Sequence, residues 1–162
     1  MKDLRKANFL VASQFLCLGA LFLLVLLNRQ PRSSADLLAE GLFILGGGVV
    51  ILTAAASLKP SLRVSPIPKP GSPFIVSGIY KYLRHPMYLG VILVALGMAG
   101  AGNSNVSLIF VVLLIITLNI KAKFEDRLLL EIHPEVFHYQ MHTSKILPCL
   151  GGSCRDDCTF KE

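Results

Sequence analysis

Residues 78–90, GIYKYLRHPMYLG, form a polar, aromatic segment between the two apolar halves of the chain. The segment holds three tyrosines, two basic residues, a histidine and a proline, and a loop rich in proline precedes it. The apolar run that follows has the composition of a membrane helix. Polar groups at a membrane entry are usually functional, so we expect a functional role for His85.

The composition of the whole chain indicates an integral membrane protein. Its 162 residues are enough for one domain, 53% of them are hydrophobic and the mean hydropathy is +0.61. Only 16% are charged, whereas soluble domains carry about 25%. The net charge of +6 would suit nucleic acid, but the basic residues lie in loops beside apolar runs, where membrane topology explains them. We expect a lipid bilayer and no nucleic acid as partner.

Four apolar runs predict an all-α, polytopic protein with about four transmembrane helices. The runs cover residues 9–27, 37–58, 87–102 and 106–120. The third run is short for a span, so we expect its helix to extend backwards to Tyr82 or Leu83. A glycine- and asparagine-rich turn separates the third and fourth runs.

Beyond Ile120 the sequence predicts a cytoplasmic, amphipathic helical segment. Phe124, Leu128 and Ile132 recur at helical spacing, and Pro134 is expected to end this helix near Ile132. A second amphipathic piece covers residues 135–141. We expect one domain over residues 1–150, followed by a disordered tail, 151–162.

The basic residues also predict the orientation. With four spans, fourteen of the 16 lysines and arginines fall on one side, in the head, the proline-rich loop, residues 78–90 and the C-terminal part. Arg29 and Arg32 alone fall on the other side. The positive-inside rule then places both termini in the cytoplasm. Residues 78–90 and 121–135 share that face and are joined by a helical hairpin, so we expect them to touch.

The motif S-G-x-Y-x-x-x-R-H-P-x-Y-x-G, residues 77–90, resembles the first signature of the isoprenylcysteine carboxyl methyltransferases and related phospholipid methyltransferase-like membrane enzymes. Their second signature has a paired acid, a leucine, Phe-Gly, spaced tyrosines and a closing proline. Residues 125–137 and Pro148 match it more weakly. The resemblance covers residues 58–148. It implies a membrane methyltransferase that uses S-adenosylmethionine and releases S-adenosylhomocysteine.

The resemblance also implies roles for individual residues. The first acid of the second signature, Glu125, would contact the cofactor, and Lys121, one helical turn earlier, would bind the substrate carboxylate. These two are the catalytic candidates. The first signature would line the cofactor pocket with Tyr80, His85, Pro86, Met87 and Tyr88.

The chemistry of these residue types agrees with the roles. Lys121 and Glu125 are four positions apart and project from one helix face. Carboxylate and tyrosine faces hold the cofactor's sulfonium and ammonium, and a helix that starts at Pro86 favours its carboxylate. A substrate carboxylate is already ionised at pH 7, so its methylation needs alignment in a dry site and no general base.

Three departures from the family leave the reaction open. Lysine replaces the substrate-binding arginine and cannot grip a carboxylate at two points. The acids are Glu125-Asp126 in place of two glutamates, and His133-Pro134 replaces Phe-Gly. We expect carboxyl O-methylation of a prenylated cysteine. The alternatives are N-methylation of a phospholipid or amine, thiol S-methylation, and a non-catalytic lipid-binding protein; a sterol-type reductase would need a longer chain.

Structural explanations compete for several of these residues. The tyrosines could form an interfacial belt, Lys81 and Arg84 could be membrane anchors, and Lys121 with Glu125 could be a solvated helix pair. The spacing of the histidines and cysteines is a weak metal signal, so we expect no metal and no disulfide framework. These residues are His133, His138, His142, Cys149, Cys154 and Cys158.

Overall fold

The described part of the chain, residues 2–28, 30–58, 75–134 and 136–147 of a computed structural model, is helical and contains no strand. This confirms the predicted all-α class. The elements are α1 (Lys2–Leu27), α2 (Ser34–Leu58), a 3-10 turn (Gly78–Lys81), α3 (Pro86–Gly102), α4 (Asn105–Ile132) and α5 (Val136–His142). The proline-rich loop, Pro148, the three tail cysteines and the predicted disordered tail lie outside the described residues.

Three of these helices, α1, α2 and α4, are long and apolar enough to cross a membrane. The fourth predicted span, α3, has 17 residues, which is at the lower limit of the roughly 17–25 that cross a bilayer. The count of four spans therefore stays a prediction. Large apolar side chains cover the outer faces of α1, α2 and α4, as lipid contact requires.

The predicted backward extension of α3 to Tyr82 or Leu83 is wrong. The helix begins at Pro86, and His85 before it has φ −126° and ψ 60°, outside the helical region. Proline causes this start because its ring disfavours the α conformation in the preceding residue. A 3-10 turn over Gly78–Lys81 precedes residues 82–85, which are not helical. His85 is consequently the residue that precedes the first turn of α3.

The predicted continuation of the helix beyond Ile120 is confirmed. Helix α4 runs for 28 residues, a length of about 42 Å, and so exceeds the roughly 30 Å hydrocarbon core. It ends at Ile132, two residues before Pro134, as predicted. The second amphipathic piece forms α5 over Val136–His142.

Helix α3 packs against α1, α2 and α4, and α1 packs against α4. Close contact between α2 and α3 depends on facing glycines. A Cβ added at Gly47 would lie 2.6 Å from the Gly90 carbonyl oxygen, and one added at Gly90 would lie 2.8 Å from the Gly47 carbonyl oxygen. Small residues let membrane helices approach this closely, and the approach seats the start of α3 beside α2.

We predict that Gly47→Ala destabilises the protein by about 1–3 kcal/mol, because the new methyl group clashes with the α3 backbone. Gly46→Ala is the matched control, since a Cβ at Gly46 meets nothing within 4 Å. Thermal unfolding of the detergent-purified variants measures the difference. Equal unfolding temperatures for the two variants would show that α2 and α3 are not packed as described.

Candidate active site

Two adjacent acids on α4 hold the segment that precedes α3. Tyr88 Oη donates a hydrogen bond to Glu125 Oε2 at 2.7 Å. His85 Nε2 lies 2.8 Å from Asp126 Oδ1, and Arg84 Nη1 lies 3.0 Å from Asp126 Oδ2. The predicted contact between residues 78–90 and 121–135 is therefore confirmed.

The helix starting at Pro86 fixes the geometry of His85 and Tyr88. The two residues are three positions apart at the first turn of α3, and their rings stack with centroids 5.1 Å apart and planes 8° apart. Glu125 and Asp126 diverge by about 100° around α4, so the two acids approach this stack from different directions. The hydrogen bonds of His85 and Tyr88 go to separate carboxylates.

His85 is held firmly in this cluster and is 6% exposed. An ionised carboxylate can only accept hydrogen bonds, so His85 Nε2 donates to Asp126. The other ring nitrogen, Nδ1, lies 3.7 Å from Glu125 Oε2. The ring orientation is therefore set by Asp126, while Nδ1 faces the second acid.

The three tyrosines of the segment have different environments. Tyr82 is 61% exposed and suits an interfacial belt, whereas Tyr80 is 7% exposed. Burial raises the pKa of the Tyr80 hydroxyl above its ordinary value, and the negative charge of Glu125 adds to the effect. The Tyr80 hydroxyl therefore remains protonated and can donate a hydrogen bond. The belt interpretation is wrong for Tyr80 and Tyr88.

The structure does not show Lys121 as a solvated partner of Glu125. Lys121 is 2% exposed, and its Nζ donates to Gln14 Oε1 of α1 at 2.8 Å. The same Nζ lies 5.2 Å from the centroid of the Tyr88 ring, within cation–π range. Lys121 is thus a buried cation next to the ring whose hydroxyl binds Glu125.

The remaining predicted residues of the first signature have supporting positions. Pro86 is buried at the first position of α3. Met87, which follows it, is half-buried and makes none of the polar contacts described for this cluster. Of the predicted set, Tyr80, His85, Tyr88, Lys121 and Glu125 are brought together.

Three polar residues of the cluster were not predicted. Asp126 was noted only as the second acid, although a carboxylate beside a buried histidine is a common orienting partner. For Arg84 a membrane anchor was one alternative, but Arg84 pairs with Asp126 and its side chain is only 16% exposed. Gln14 is the strongly polar residue within the first apolar run, and that isolation was the available signal.

Residues 139–145 bind the backbone of residues 80–85 through hydrogen bonds. The amides of Arg84 and His85 donate to the carbonyls of Ser144 and Lys145, at 2.8 and 3.0 Å. In addition, Tyr139 Oη donates to the Tyr80 carbonyl, and Gln140 Nε2 donates to the Asp126 carbonyl at 2.9 Å. The short α5 and the residues after it therefore fix the backbone beneath the side-chain cluster.

Two of the histidines weighed as a weak metal signal lie side by side on α5. His138 and His142 have ring centroids 4.3 Å apart, and His142 Nδ1 lies 2.8 Å from the His138 carbonyl oxygen. Within the described ranges, histidine, cysteine and acidic residues form no group of three or more that could hold a metal ion.

Comparison with known proteins supplies the family. Residues 37–135, more than half of the chain, match the family model described as Phospholipid methyltransferase. The match includes all but the first turn of α2, all of α3 and α4, and the cluster from Tyr80 to Asp126, and it excludes all of α1 and α5. A search of curated proteins gives no match. The matched family belongs to the same group as the isoprenylcysteine carboxyl methyltransferases, which confirms the resemblance.

The chain therefore belongs to the phospholipid methyltransferase family of membrane methyltransferases.

Proposed function

We propose that this enzyme transfers a methyl group from S-adenosylmethionine to a lipophilic acceptor that carries an anionic group. The acceptor that suits the site best is the carboxylate of a prenylated cysteine. The observation that carries the proposal is the position of Lys121, a buried cation 5.2 Å from the Tyr88 ring, whose hydroxyl binds Glu125. The ring and the hydroxyl of one tyrosine thus contact a basic and an acidic residue of α4, respectively.

The residues present fit the cofactor. S-adenosylmethionine supplies an activated methyl group on a sulfonium and also carries an ammonium and a carboxylate. Glu125 and the tyrosine rings offer the negative charge and π faces that cationic groups prefer. Arg84 Nε is buried and makes no hydrogen bond within the described residues, so it can donate to a carboxylate. The N-terminus of α3 favours the same charge.

Lys121 would act on the acceptor through charge. An acceptor carboxylate is ionised at neutral pH, so no residue need remove a proton from it. In a site of low polarity, a buried ammonium attracts that carboxylate strongly and opposes the approach of a cationic acceptor. His85 and Tyr88 would meanwhile close the opposite side of the site and limit the entry of water.

N-methylation of a phospholipid amine is the second candidate, and the family match favours it. The phosphate of such a lipid would give Lys121 an anionic partner. The amine must lose a proton before it attacks, and His85, oriented by Asp126, is a suitable acceptor for it. The two candidates therefore differ in whether His85 takes part in proton transfer.

We also propose that the site faces the cytoplasm. Two observations support this orientation: the distribution of basic residues, and the position of the site at one particular end of α2. Gly78 lies beside Ser57 at the end of α2, whereas Ser33 precedes the start of this 25-residue helix. The loop before α2 and the 3-10 turn Gly78–Lys81 are thus at opposite ends of one candidate span.

Cofactor binding is the first test. S-adenosylhomocysteine titrated into the detergent-purified protein by calorimetry should bind, and His85→Ala and Glu125→Ala should each weaken binding at least about tenfold, or 1.4 kcal/mol. Tyr82→Phe is the control from the same segment, because this side chain is exposed. Absence of binding to the wild type at millimolar ligand would refute the cofactor assignment. Wild-type affinity in both alanine variants would refute the assignment of these two residues to the cofactor site, but not the use of the cofactor.

The acceptor is tested with radiolabelled S-adenosylmethionine, supplied with N-acetyl-S-farnesylcysteine or with phosphatidylethanolamine vesicles. We expect label in the farnesylcysteine product, released by mild base as an ester is, and we expect Lys121→Met to lose most of it. Label confined to the phospholipid amine would exclude the carboxylate and establish the second candidate.

Sidedness is tested by labelling introduced cysteines with a membrane-impermeant maleimide, after Cys149, Cys154 and Cys158 are replaced by serine; the remaining native cysteine, Cys17, is buried. Lys81→Cys should react only in permeabilised cells, and Ser33→Cys should react in intact cells, because both positions are exposed at opposite ends of α2. The reverse pattern would place the site outside the cytoplasm.

A further inference from the structure

Gln14 lies in α1, outside the region that matches the family, yet it contacts the site. We propose that Gln14 is a positioning residue: it holds the Lys121 ammonium in place and so creates a preference for acceptors with an anionic group, either a carboxylate or a phosphate. The inference rests on the proposed function, because it requires that Lys121 faces the acceptor. It adds a residue from a helix that the family match does not include.

The position of Gln14 on α1 is unusual. The buried residues of this helix are Ala7, Leu10, Gln14, Cys17 and Leu21, at alternating intervals of three and four. That spacing is a helix-packing seam, and its positions ordinarily hold apolar side chains. Gln14 is 8% exposed at the centre of the seam and has the only amide among these five side chains. A buried amide is costly unless it is hydrogen-bonded, so its partner indicates its role.

That partner is Lys121 Nζ, 2.8 Å from Gln14 Oε1. Lysine has a flexible four-carbon stem, and its ammonium needs fixed neighbours to stay in one place. Gln14 contacts it from α1, and the Tyr88 ring lies 5.2 Å away on α3. In the described part of the chain, Gln14 takes one of the three N–H donors of the ammonium, which leaves donors for an acceptor anion.

The chemistry of glutamine is what makes this arrangement selective. A neutral amide oxygen can hold an ammonium without cancelling its charge. A glutamate at the same place would hold it equally well but would neutralise it, and in a site of low polarity the attraction for a second anion would fall steeply. Gln14→Glu therefore separates positioning from charge: the buried contact is kept while the proposed selectivity is lost.

The experiment measures anion preference by equilibrium binding in detergent with saturating S-adenosylhomocysteine. Each of two probe pairs sets an anionic lipid against a neutral one with the same apolar chains: N-acetyl-S-farnesylcysteine against its methyl ester, and dioleoylphosphatidic acid against dioleoylglycerol. We expect the wild type to prefer the anionic member of one pair, which identifies the anion as a carboxylate or a phosphate. Gln14→Glu should reduce this preference at least about tenfold, with affinity for the neutral member and for S-adenosylhomocysteine unchanged.

Two further variants control for structure. Ser13→Ala removes the neighbouring contact between α1 and α4, in which Ser13 Oγ lies 3.3 Å from Thr117 Oγ1, and it should keep the wild-type preference. Gln14→Met keeps the volume without the acceptor oxygen and should show an intermediate loss. An undiminished preference in Gln14→Glu, or an equal loss in Ser13→Ala, would overturn the inference.

The outcome for the inference is separable from that for the proposed function. A wild-type protein that does not bind S-adenosylhomocysteine would refute the proposed function. A wild type that binds S-adenosylhomocysteine and prefers the anion, with that preference undiminished in Gln14→Glu, would refute the role of Gln14 alone.

Discussion

The carboxylate of Asp126 is the group that ties the site together. It binds His85 with one oxygen and Arg84 with the other, at 2.8 and 3.0 Å. These bonds join the non-helical loop before α3 to the outer half of α4, two segments about forty residues apart. Paired charges in a poorly solvated site stabilise a structure only when their hydrogen bonds are made, and both oxygens of Asp126 make one. Removing either oxygen would leave a buried cationic or polar group without its partner.

The membrane environment explains why so much backbone bonding surrounds this carboxylate. A loop that enters an apolar region must find partners for its amides and carbonyls within the protein. The amides of Arg84 and His85 find them in Ser144 and Lys145, and the Tyr80 carbonyl finds one in Tyr139. Below the loop, facing glycines bring α2 against α3 and so fix where the first turn of α3 lies. Hydrogen bonds and packing contacts from several elements therefore fix the backbone of this loop.

Much of the fold could be predicted from local sequence. Apolar runs of membrane length and the stop before Pro134 follow from composition and proline chemistry, and the structure agrees on both. The start of α3 was misplaced because the length expected for a span was preferred over the effect of Pro86 on His85. Hydropathy reports how much apolar surface a segment has, whereas a helix start is decided by backbone sterics at one residue. The proline at position 86 was the local signal for the helix start, and the expected span length was given more weight.

The sequence by itself determined the class of protein and the meeting of the two polar segments, in which His85, Tyr88 and Glu125 take part, because these follow from composition, charge asymmetry and motif. Only the tertiary structure decided the partners. It made Asp126 the centre of the cluster, separated buried Tyr80 from exposed Tyr82, and turned Lys121 away from solvent towards Gln14. These contacts join residues forty or a hundred positions apart in the sequence. They depend on how the helices pack, which no local sequence pattern reports.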